Sequence, residues 1–200
     1  MATAAEPDQG RKSGVAGYAR FTFRLRVSST ARAALLTEWD RCRWVWNECV
    51  AKSVQTHEAN RTRHEEADRQ TCGPAELDRM LTEARKRTGW LREGASVPQQ
   101  RVIRDFGRSR AKAHKDILER LPVPQRAGMP RYKKKHEASA SLNYTTRGFR
   151  LKDGRLHLAG GIVVRPVWSR ALHRVRSRVP TGQELRTRDA RPGWFPPGWR

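Results

Sequence analysis

The segment GFRLKDGRLHL, residues 148–158, leaves the chain little conformational choice. Asp153–Gly154 is a two-residue hairpin turn of the type that needs positive φ at both positions. With that turn in place, Leu151 stands opposite Leu156 and Phe149 opposite Leu158. All four then share one face, so turn chemistry and hydrophobic pattern agree on a single register. GIVVRPVW, 161–168, predicts a further strand, with Pro166 favouring a sheet edge. SLNYTT, 141–146, reads as a short strand. Far upstream, YARFTFRLRV, 18–27, alternates cleanly. Phe21, Phe23, Leu25 and Val27 face one way, and Arg20, Thr22, Arg24 and Arg26 the other. That is a half-buried strand with a basic outer face.

Helical patterns lie between these strands. SST at 28–30 offers hydroxyl caps for a long helix from about Ala31 to the mid-fifties. On it, Leu35, Trp39, Cys42, Trp46, Cys49 and Ser53 form one seam. Trp44 falls on the opposite side with Asp40, Arg41 and Glu48. Trp46 is therefore expected in the core, while Trp44 is left to stack on a base or on the β-region. Residues 56–72 carry no apolar period; they extend the helix into solvent or form a loop. Pro74 suits a first helical turn, followed by the stripe Leu77, Met80, Leu81 and Ala84. TGWLREGAS interrupts, and Ser96 with Pro98 opens a third helix. There Ile103, Phe106, Ala113 and Ile117 share a face, and LPVPQ ends the run at 121–125.

The order strand, helices, strands predicts an α+β fold. Residues 18–30 and 126–172 form the β-rich part, with the first strand paired to the late hairpin. Residues 31–125 form a helical insertion on its own core. Residues 1–17 and 173–200 read as disordered tails.

Charge restricts what such a chain binds. Among 200 residues, 42 are Lys or Arg and 20 are Asp or Glu, a net charge of +22. A chain this basic repels itself unless polyanions neutralise it, and nucleic acid is the obvious polyanion. A membrane surface is a poorer match, because no basic amphipathic helix carries a broad apolar face. No stretch has the apolar length of a membrane span. The N-terminal MATAAEPDQGRKSGVAG lacks the apolar region of a secretory signal, so a cytoplasmic protein is expected. Cys42 and Cys49 stand roughly 10 Å apart along one helix, too far to bridge. No C-x-x-C pair occurs, and the six histidines have no ligand spacing, so no metal or other cofactor is expected.

Several stretches, taken in order, resemble one family: the N-terminal half of the OrfB/TnpB transposase proteins of bacterial insertion sequences. They are RFTFRL, then an R-x-x-W-N signature at Arg43, Trp46 and Asn47, then WLREGASVPQQRVIRDFGRSRAKAH at 90–114. GMPRYKKK at 128–135 and GFRLKDGRLHLAGGIVVRPVW at 148–168 complete the series, which covers roughly 18–172. The family acts as RNA-guided DNA nucleases, related to compact type V CRISPR effectors. The resemblance implies a wedge-like β-barrel interrupted by a helical recognition domain, described in the family as helix-turn-helix-like. It also implies guide RNA and target DNA as partners.

The family's nuclease lies beyond this region and uses RuvC-like carboxylates to hold two divalent metals, with a zinc ribbon inserted. Paired metals need carboxylates because they clamp both the attacking and the leaving oxygen at a phosphate. After residue 172 the only acids are Glu184 and Asp189, in an Arg-, Pro- and Gly-rich tail that reads as solvated. No catalytic residue is assigned, and no enzyme activity is expected of this chain. HRVRSRVPTGQELRTRDARPGWFPPGWR has neither helical nor strand period. It resembles GC-rich DNA read out of frame, so a lost frame near Ala171–Arg174 is expected, a point that sequencing the locus decides.

Binding is expected at Arg131, Tyr132, Lys133, Lys134 and Lys135, a basic loop with an aromatic beside its cations. Clustered cations suit phosphates, and Tyr132 can stack on an unpaired base. Arg104, Arg108 and Lys112 of the third helix are a second candidate. Arg43, Trp46 and Asn47, the signature residues, are expected to serve either structure or binding; Asn47 is expected to cap or bridge backbone groups.

Overall fold

The computed structural model describes residues 22–63 and 68–168, together with the backbone of 185–188. The expectations for the two tails, and for Arg20 and Phe21, otherwise lie outside the described residues. The protein is a mixed α+β structure. Strand β1 is Arg24–Arg26 and helix α1 is Ser29–Arg61. Helices α2 (Pro74–Arg87), α3 (Gly89–Glu93) and α4 (Ser96–Leu118) follow. Strands β2 (Ser141–Tyr144), β3 (Phe149–Lys152), β4 (Arg155–Leu158), β5 (Ile162–Val167) and β6 (Leu185–Arg188) complete the chain. No helix among the described residues is long and apolar enough to cross a membrane.

Local signals set the helix ends. The Ser28 hydroxyl accepts from the Ala31 N–H at 3.1 Å and starts α1. At the start of α2, the Gly73 N–H donates to the Glu76 carboxylate at 2.9 Å and Pro74 fills the first turn. The hairpin has the expected register, Phe149 opposite Leu158 and Leu151 opposite Leu156. Asp153 and Gly154 take φ of 50° and 68°, as that turn type requires.

Three features depart from expectation. The sheet is open, in the order β1-β5-β4-β3, and β2 pairs with β6 in a separate ladder. No barrel closes among the described residues, because β1 and β3 remain at opposite edges. The first strand pairs with β5 instead of with the hairpin. Pro166 lies on that interior strand, yet its edge character survives locally. β4 pairs with 162–164 and β1 with 165–167, so the ladders succeed one another along β5. The third departure is β6, a strand within a tail expected to have none.

The helices do not form a separate body. Ala31, Trp39 and Cys42 of α1 pack with Leu142, Tyr144, Leu156, Leu158, Ile162 and Val164 of the strands. Val45, Cys49 and Val50, further along α1, pack with Leu77, Leu81, Leu91, Ile103 and Phe106 of the other helices. Helix α1 thus spans two cores, and a boundary at residue 30 or 31 cuts through a packed unit. This explains why the expected seam is only partly right. Val45, not Trp46, is fully buried, and Arg41 is buried although it lies off the seam. Ile117 is 46% exposed, so the apolar face of α4 ends at Ala113.

Candidate nucleic-acid interface

The signature residues of α1 grip the basic loop by its backbone. Asn47 donates from Nδ2 to the Lys133 carbonyl at 3.2 Å, and the Lys133 N–H donates to Asn47 Oδ1 at 2.8 Å. Trp46 Nε1 donates to the Arg131 carbonyl at 2.8 Å. An Arg43 guanidinium nitrogen lies 3.5 Å from the same Lys133 carbonyl, and its Nε pairs with Asp40 at 3.4 Å. The Trp46 ring also meets Phe106 of α4 edge-on, with centroids 5.5 Å apart. Its indole therefore joins the helical core on one side and holds a loop on the other, which a half-buried Trp does well.

The grip turns Lys133 inward. Its Nζ sits 4.0 Å from the centroid of Trp46 and 5.4 Å from that of Trp39. Burial lowers its pKa, and the nearby Cys42 and Asp105 partly oppose that shift. Lys133 therefore acts as an anchor, contrary to its expected place among freely exposed lysines. Its neighbours point outward: Arg131, Tyr132, Lys134 and Lys135 are exposed, Tyr132 at 56%. Lys134 pairs with Glu137 at 2.8 Å, and Lys135 Nζ lies 3.9 Å from Asp40. Both pairs are solvent-exposed on the lysine side, so each is weak and open to exchange for a phosphate.

Arg104, Arg108 and Lys112 are exposed at four-residue intervals on α4. Arg104 lines a cleft of about 630 Å³ shared with Asp78, Thr82, Arg85 and Arg92. The loop is instead held by side chains of α1, so the two candidates rest on different helices. Trp44 packs against the helical core and is only half exposed.

Two networks lie outside the sequence expectations, one around the buried Glu38–Arg41 ion pair and one around the half-buried Arg85. Arg41 donates to Glu38 Oε1 at 2.5 Å and from Nε to the Trp90 carbonyl at 2.8 Å, while the Ala95 N–H donates to Glu38 Oε2 at 3.2 Å. Arg85 donates to the carbonyls of Leu91 and Arg92, each at 3.0 Å, and to Gln99 Oε1 at 2.5 Å. Together they tie down the turn before α4. A Cβ on Gly94 would collide with Arg41 Cδ and the Gln99 amide, so the turn admits only glycine there. WLREGAS is thus a structural joint. The side chains that hold it, Arg41 and Arg85, come from α1 and α2.

Among the described residues, no group of three or more His, Cys, Asp or Glu stands together to hold a metal ion. No protein-family model matches the chain, and no curated protein matches it either.

Proposed function

We propose that this chain is a nucleic-acid-binding module of the transposase type, taking guide RNA and DNA through phosphate contacts in the cytoplasm. The observation that carries the reading is the grip on the 131–135 loop. It spends Lys133 on structure and holds Arg131, Tyr132, Lys134 and Lys135 outward, an arrangement suited to a backbone and one stacked base. No catalytic residue is assigned, and the chain should not cut nucleic acid with Mg²⁺ or Mn²⁺. Changing Lys134 and Lys135 to Ala should weaken RNA binding about tenfold while leaving circular dichroism unchanged. Two phosphates released, at roughly 0.5–1 kcal/mol each, give that size. Unchanged affinity in a folded variant rejects the loop as the binding site.

A second reading is a stand-alone basic RNA-binding protein. The pairing of β6 with β2 favours it, because residues 185–188 then take part in the fold.

A further inference from the structure

The strand registers disclose a second cationic surface. Leu156 pairs with Val164 and Leu158 with Ile162, all buried against the helices. The alternate residues therefore form the opposite face of the four-stranded sheet. Across it, Arg26 stands directly opposite Arg165 on β5, and Lys152 directly opposite Arg155 on β4. Arg24 and Arg150 extend the same face, with His157 between Arg150 and Val163. The six Arg and Lys side chains are exposed, and among the described residues none of the observed ion pairs involves them. Like charges directly opposite one another destabilise a ladder. A face that carries two such pairs and no acidic strand residue is costly to folding unless a polyanion covers it.

We propose that this open sheet face is a second binding surface, one that takes the phosphate backbone of a double-stranded nucleic acid. It rests on the reading of the chain as a nucleic-acid binder and adds a site of different character. The loop offers Tyr132 for an unpaired base. The sheet face offers cations spread over four strands, about 14 Å across at the usual strand spacing. Its strand residues include no exposed aromatic, so it is built for stacked, paired strands whose phosphates face outward.

The test compares three forms of the full chain: unmodified, Lys134→Ala/Lys135→Ala, and Arg26→Gln/Arg165→Gln/Lys152→Gln/Arg155→Gln. Each is titrated with a short RNA duplex, the same duplex as DNA, and a single strand. The sheet variant should lose at least tenfold in duplex affinity, with its log–log salt slope reduced by about 0.9 for each phosphate it no longer neutralises. Its single-strand affinity should change less than that of the loop variant, and its thermal midpoint should stay level or rise. Loss with RNA alone assigns the face to A-form duplexes, and loss with both assigns it to duplexes in general. Should the quadruple variant fold poorly, Arg26→Gln/Arg165→Gln alone carries the comparison. An unmodified chain that binds nothing defeats the nucleic-acid reading itself. A chain that binds duplex as well with the substituted sheet as without, or loses duplex and single strand by the same factor, overturns only the sheet proposal.

Discussion

Asn47 uses both ends of its amide on the backbone of one residue, Lys133, 86 positions away in sequence. Asn47→Ala should cost about 2 kcal/mol in stability, two net hydrogen bonds at roughly 1 kcal/mol each. It should also weaken RNA binding, because the loop loses its grip. Chemical denaturation beside a binding titration checks both, and a destabilised variant with unchanged affinity counts against the positioning role. The expectation that Asn47 bridges backbone groups was legible in its place beside Trp46. The inward turn of Lys133 was not, because it depends on two tryptophans that meet the loop only after folding. The thiols give a pH dependence. Burial raises Cys42 far above its usual range and pushes Cys49 up to about 12. Burial raises the Tyr144 hydroxyl as well. In the unfolded chain the thiols lose protons near pH 9, while the folded state keeps them. Their contribution is therefore complete below pH 9 and is lost as pH climbs from there, by up to about 1.4 kcal/mol per pH unit per thiol. Lys133 acts in the opposite sense, since its pKa is lowered on folding: its contribution grows as pH rises towards 10.5. The two thiols outnumber it, so urea midpoints should fall as pH rises from 9 to 10.5, and a flat profile contradicts this balance.

The hairpin was readable because turn and pattern independently demanded one register, and no distant residue had a vote. Strand order was less readable. Nothing local in RFTFRL states that it will pair with β5, and Pro166 could not announce that its strand changes partners halfway. Helix α1 shows the same limit. Its seam predicts one buried face, but the helix lies between a sheet and three helices, so Arg41 is buried off the seam beside Glu38. β6 is the sharpest miss, since LRTR carries no strand signal that a basic tail lacks. Removing residues 173–200 should lower stability by roughly 1–3 kcal/mol, given four cross-strand pairs with β2 at a few tenths to 1 kcal/mol each. Thermal melts of the full and shortened chains decide this. Equal midpoints would return the tail to the out-of-frame reading and remove the support for a self-contained protein.

Taken whole, the molecule divides its charge. Glu38, Asp40 and Asp105 neutralise arginines near the core, at Arg41, Arg43 and Arg101. Much of the remaining +22 lies on the loop, the outer side of α4 and the open sheet face. A fold that gathers cations this way, and that places like charges opposite one another, is stabilised by a polyanion and strained without one. The most direct measurement is the affinity of the full chain for RNA and for DNA as a function of salt. If about six phosphates are neutralised, affinity should fall on the order of a thousandfold between roughly 50 and 200 mM salt. An affinity that stays flat over that range contradicts phosphate binding as the purpose of this surface.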